Sequence, residues 1–115
     1  MLQEAHVRRL RNRSEFLRVA RGSRVGRSAF SLQTNDSDAP EPGMGFTVTK
    51  QAGNSPERNR IRRRLRAAAR ACATQLVSQH DYVLVGRRDA LSIKFDRLVA
   101  DLAAAIPKVH ARKKN

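Results

Sequence analysis

The sequence predicts an α+β domain in which helices pack on one small sheet. Three observations predict it. Stretches of period two alternate along the chain with stripes of period 3.6. The 115 residues suffice for one core. Apolar residues make up 40%, near the ordinary globular range. The chain therefore reads as a single domain over residues 1–115, with the basic stretch 1–12 and the tail 107–115 as candidates for disorder.

Each element has its own reason. "SEFLRVAR", 14–21, reads as a short helix: Ser14 caps it, Phe16, Val19 and Ala20 share a face, and Gly22 ends it. "VGRSAFSLQT", 25–34, alternates, with Phe30 and Leu32 opposite Ser31 and Gln33, as in a half-buried strand. "NDSDAPEPG", 35–43, is a loop. "MGFTVTK", 44–50, is a second alternating strand, expected to pair antiparallel with the first. "DYVLVG", 81–86, is a continuous apolar run, as in a central strand covered on both faces. "IKFDRLVADLAAAI", 93–106, reads as a helix capped by Ser92, striped by Phe95, Leu98, Val99, Leu102 and Ile106, and stopped by Pro107.

The segment before the last strand is unusual. "SPERNRIRRRLRAAAR", 55–70, holds seven arginines against one acid, Glu57. Ser55 as N-cap, Pro56 at N1 and Glu57 in the first turn make it a helix start. Ile61, Leu65, Ala68, Ala69, Cys72 and Leu76 then fall in one stripe, so the helix packs on a core. Asn59, Arg63, Arg66 and Arg70 face away from the stripe. Arg58, Arg62 and Arg66 run along one flank, Arg60 and Arg64 along the other. A solvated face would carry acids at i, i+4 from its bases, and none follow here. Like charges at that spacing cost ~0.3 kcal/mol per pair, which an anion on the helix would relieve.

Overall charge agrees. The net charge is +14, from 19 Arg and 5 Lys against 10 acids. Arginine presents a planar fork to phosphate and stacks on bases, so nucleic acid is the expected partner. No apolar run approaches the ~18 residues of a membrane span, and the start has no apolar stretch that would make a secretory signal. The single Cys72 allows no internal disulfide and fits a reducing cytoplasm. His6, His80 and His110 are scattered, so no zinc site is expected. No catalytic set is readable: Asp36, Asp38 and Glu41 sit in the Pro-rich loop, and Cys72 and Ser55 read as core filler and cap. Composition alone leaves other basic RNA-binding classes open, such as ribosomal proteins. A helix-turn-helix lacks its second helix at the required spacing.

"KQAGNSPERNRIRRRLR", 50–66, resembles the Lys-x-x-Gly-Asn-x-x-x-Arg-Asn-Arg-x-(Lys/Arg)-Arg-x-x-Arg signature of the bacterial ribonuclease P protein family. "LRNRSEFLRVARGSRV", "GMGFTVTK" and "DYVLVGRRDA" resemble that family's first helix and the strands flanking the signature. The resemblance implies a small two-layer α/β sandwich of αβββαβα-like order, with a left-handed βαβ crossover around the Arg-rich helix. It implies a protein subunit that assists a catalytic RNA in removing the 5′ leader from precursor tRNA. Magnesium ions would be used by the RNA, with no metal held by the protein and no small-molecule substrate. Carried over, Lys50, Arg58, Asn59, Arg60, Arg63 and Arg70 would bind the catalytic RNA. Phe16, Ser31, Gln33, Arg62 and Arg66 would line a cleft for the single-stranded leader. Family members often have aromatics where this chain has Ala20 and Gln33, which shifts leader affinity toward phosphate contacts. Arg64 stands where the family usually has an apolar residue.

Overall fold

The structure, a computed structural model, describes residues 6–111. Its elements are β1 (Arg8–Arg9), α1 (Arg13–Ala20), β2 (Ser23–Gly26), β3 (Phe30–Asp36), β4 (Gly43–Val48), α2 (Ser55–Ala71), β5 (His80–Gly86) and α3 (Phe95–Ala111). The five strands form one sheet in the order β1-β4-β5-β3-β2. β5 is central, as its apolar run predicts, parallel to β4 and antiparallel to β3.

Side-chain alternation sorts the sheet into two faces. Leu32, Met44, Val48, Tyr82 and Leu84 point to the face where α2 and α3 pack, with Ile61, Leu65, Leu98, Leu102 and Val109 completing the main core. Val83 points the other way, to a smaller cluster with Leu10 and Val19 beneath α1, which Phe16 and Val85 border. Cys72 is buried in the main core, and burial pushes its thiol pKa up, in keeping with core filler.

Several expectations are corrected. Residues 25–34 are not one strand: β2 and β3 form a hairpin around residues 27–29, where Arg27 N–H donates to the Phe30 carbonyl at 2.7 Å. The two alternating strands do not pair with each other, because β5 lies between β3 and β4. The caps of α1 and α2 both sit earlier than expected. Asn12, not Ser14, precedes α1, where the Glu15 carboxylate accepts the Asn12 and Arg11 N–H groups. Asn54, not Ser55, caps α2: its side chain accepts the Glu57 N–H at 3.0 Å while Glu57 accepts the Asn54 N–H at 2.9 Å. Leu76 lies past the end of α2 but still packs on the core. Ala20 faces solvent, and Phe95, at the start of α3 where the apolar stripe runs out, is 44% exposed.

Two described stretches that were candidates for disorder carry regular structure. Arg8 and Arg9 pair with Gly43 and Met44, so part of the N-terminal basic run is a strand. Ser92 does not cap α3, which starts at Phe95 with Leu98 N–H bonded to the Lys94 carbonyl. Pro107 does not stop α3. Its missing N–H leaves the Ala103 carbonyl unbonded within the helix, and the Gln75 amide donates to that carbonyl at 3.3 Å. The helix continues through buried Val109 to His110, whose Nε2 lies 2.6 Å from the Tyr82 hydroxyl. Of the stretches 1–12 and 107–115 expected to be loose, residues 1–5 and 112–115 lie outside the described residues.

Candidate nucleic-acid interface

The signature begins where the backbone needs it. Gly53 has φ 156°, a conformation open to glycine and strained for other residues. Asn54 follows as the cap of α2. The Glu57 carboxylate also takes both terminal nitrogens of Arg88, at 3.2 and 3.1 Å, and Arg88 donates to the Ala52 carbonyl. Hydrogen bonding from Arg88, with the Asn54 N–H behind it, holds the Glu57 carboxyl below its usual pKa. This ties the first turn of α2 to the segment following β5, so the helix presents its face at a fixed angle.

The seven arginines of α2 then separate by task. Arg58 folds back to donate to the Gly53 carbonyl at 3.0 Å and the Ser55 hydroxyl at 3.2 Å. Arg62 donates to the Asn59 side-chain oxygen at 3.0 Å. Arg64 turns inward and donates to the Leu91 and Ile93 carbonyls at the approach to α3. Arg66 lies over the Phe46 ring, 5.5 Å from its centroid. The side chains of Arg60, Arg63 and Arg70 are exposed and make no ion pair or hydrogen bond with the described residues, and the same holds for the Lys50 side chain just upstream. This exposed set is cationic, with Asn59 among it, and it stands on a helix that is rigid because its other face is core.

The expected leader cleft does not come together as a single group. Phe16, Ser31 and Gln33 lie on the α1 face of the sheet, whereas Arg62 and Arg66 belong to α2 on the opposite face. Arg66 lies over Phe46, which shares the α2 face with Met44 and Val48. Ser31 and Gln33 are not open lining residues: they are 7% and 8% exposed. α1 covers one end of their row, and at the other the Arg87 guanidinium lies at Gly26, the register partner of Ser31. The Ser31 hydroxyl is buried without a hydrogen-bond partner among the described residues. Phe16 is half-buried, its ring against Gly45 of β4. It is neither pure core nor fully free.

Sequence reasoning did not single out Asp81, Arg8 and Arg18. Asp81 is fully buried at the start of β5, bonded to Arg8 of β1 and, at 3.4 Å, to Arg18 of α1. The one hint was an acid opening an otherwise apolar strand. A shallow surface pocket of about 450 Å³ is lined by Ser28, Asp89, Ser92, Ile93, Lys94, Arg97 and Asp101. Its mixed charges do not suit a polyanion.

A family model described as Ribonuclease P matches residues 5–110. The chain belongs to the ribonuclease P protein family. It is 44% identical over 109 residues to the ribonuclease P protein component of Ruegeria pomeroyi, spanning 90% of this chain and 87% of that one. It is 42% identical over 115 residues to that of Gluconacetobacter diazotrophicus, spanning 97% of each. Among solved structures, the RNase P protein from Thermotoga maritima superposes with a TM-score of 0.76 at 20% identity, over 88% of this chain and 96% of that one. The Staphylococcus aureus RNase P protein gives 0.72 at 23%, over 88% and 95%. At these identities the structures speak for the fold, and they share the architecture described above.

Proposed function

We propose that this chain, the protein component of a ribonuclease P acting in tRNA processing, is a two-sided grip on RNA with no active site of its own. The α2 face carrying Asn59, Arg60, Arg63 and Arg70, with Lys50 just upstream, binds the catalytic RNA through its phosphates. The α1 face of the sheet, entered at Phe16, takes the single-stranded 5′ leader of precursor tRNA. Hydrolysis of the phosphodiester, and the magnesium ions it uses, are assigned to the RNA. No three His, Cys, Asp or Glu side chains gather as metal ligands among the described residues. No described helix is long and apolar enough to cross a membrane, and the site of action is taken as the cytoplasm.

One observation carries this reading: three exposed arginines, without partners among the described residues, on a helix whose other face is core. A guanidinium with no carboxylate beside it is available to phosphate, and each phosphate neutralised releases counterions. The test is reconstitution. At low magnesium, the cognate catalytic RNA should release 5′ leader from precursor tRNA faster with the protein than without it, and the protein alone should release none. A basic RNA-binding protein of another class would bind with similar salt dependence yet fail to stimulate cleavage.

A further inference from the structure

Two glycines on β4 face α1, and what fills the space above each defines a second set of contacts. A Cβ at Gly43 would collide with the Asp81 carboxylate and approach Arg8 and Leu10. A Cβ at Gly45 would lie 2.6 and 2.7 Å from carbons of the Phe16 ring. Gly45 and Val83 are register partners, as are Gly43 and Asp81, so these positions lie in successive rows of one face. α1 therefore touches this face through Phe16 in one row, while its Arg18 reaches Asp81 in the next. Arg8, from the strand leading into α1, takes the other oxygen of the same carboxylate.

Burying a carboxylate fully is costly in desolvation, and only close cationic partners offset it. An apolar side chain at position 81 would avoid that cost. It would also remove the only charged tie among the described residues that reaches α1 from β5, leaving α1 held by buried Val19, half-buried Phe16 and the Asn35 amide that donates to the Arg18 carbonyl at 2.8 Å. We propose that Asp81 is a positioning residue for leader recognition: through Arg18 and Arg8 it sets the seat of α1, and hence where the Phe16 ring stands above Gly45. The proposal rests on the reading of the α1 face as the leader cleft. The sign of its expected effect is diagnostic. Replacing Asp81 by Asn removes a negative charge from a protein of net charge +14, so electrostatics alone would tighten RNA binding. Loss of positioning weakens it, and for the leader only.

The test compares the reconstituted holoenzyme carrying Asp81→Asn, Phe16→Ala or both, with long-leader precursor tRNA and mature tRNA as ligands. Phe16→Ala should cost about 5-fold or more for the precursor, the low end for a lost base stack. Asp81→Asn should cost at least about 3-fold for the precursor and nothing for mature tRNA. The double variant should match Phe16→Ala within about twofold, because both changes remove one interaction. Additive losses, equal losses on mature tRNA, or an unchanged or tighter precursor with Asp81→Asn would each overturn the proposal. If Phe16→Ala itself has no leader effect, the cleft reading fails and the proposal falls with it; a leader effect from Phe16→Ala alone overturns the positioning role only. Should Asp81→Asn not fold, Arg18→Gln keeps the Arg8 pair and gives the same readout. A leader-specific loss with unchanged salt dependence supports positioning. A slope of log affinity against log salt reduced by about 0.7 would instead make Arg18 a direct phosphate ligand, and would overturn it.

Discussion

Neighbouring arginines on α2 differ more than their spacing suggests. Arg63 is exposed, whereas Arg64 is half-buried and donates to the carbonyls of Leu91 and Ile93, 27 and 29 residues further on. Arg64→Ala should cost about 1–3 kcal/mol by leaving those two carbonyls without their donor. Arg63→Ala should stay within about 0.5 kcal/mol, as an exposed change does. Urea midpoints at unchanged slope would show the difference; equal midpoints would remove Arg64 from the packing. The contrast also marks what a sequence shows at this scale. Ile61, Leu65, Ala68, Ala69 and Cys72 were legible as the buried stripe because helix periodicity is local. The partners of Arg64 and Asp81 were not, because they come from distant segments. Phe16 could be named as an aromatic on α1, but its seat on Gly45 required the sheet.

At the level of elements, most helices and strands were legible while several boundaries were not. Asn54 takes the cap from Ser55 because Glu57 stands three residues after it and closes a reciprocal pair of hydrogen bonds with it. The β2–β3 turn was missed because its residues continue the alternating pattern on either side. The α2 cap carries a pH prediction. The pKa values of Glu15 and Glu57 are lowered on folding, the first by backbone N–H groups of Asn12 and Arg11, the second chiefly by Arg88. A lowered folded pKa means the stabilisation is present above the unfolded value of 4.5 and is lost as pH falls through the folded value. The melting temperature should therefore hold from neutral pH to about 5.5 and drop below about 4.5, with a smaller drop in Glu57→Gln. An equal drop in that variant would mean other groups control it. On α3, Gln75→Ala should cost about 0.5 kcal/mol by removing the donor to the Ala103 carbonyl at an exposed site. Pro107→Ala in the same chain should recover it by restoring the helical N–H. A double variant no more stable than Gln75→Ala would show that the Gln75 amide does not stand in for that bond.

For the molecule as a whole, charge and topology act together. Parallel neighbours β4 and β5 are joined through α2, which carries the arginines on one face and seals the main core with the other. The order of strands across the sheet was not legible, because periodicity finds strands and does not say which lie side by side. A net charge of +14 opposes the compact state. Anions that occupy the arginine face should stabilise it by mass action. Sulfate should raise the melting temperature more than chloride at equal ionic strength; matching values would mean that the folded surface holds no such anion site. The central claim is that two faces grip two RNAs, and one measurement addresses it directly. Affinities for the catalytic RNA, and the ratio of precursor to mature tRNA affinity in the holoenzyme, are determined for Arg60→Ala/Arg63→Ala and for Phe16→Ala. The arginine variant should weaken binding of the catalytic RNA and lower its salt slope by roughly 0.7–0.9 for each phosphate no longer neutralised, leaving the precursor-to-mature ratio intact once assembled. Phe16→Ala should lower only that ratio. If either variant moved both quantities together, the two faces would not be separate grips.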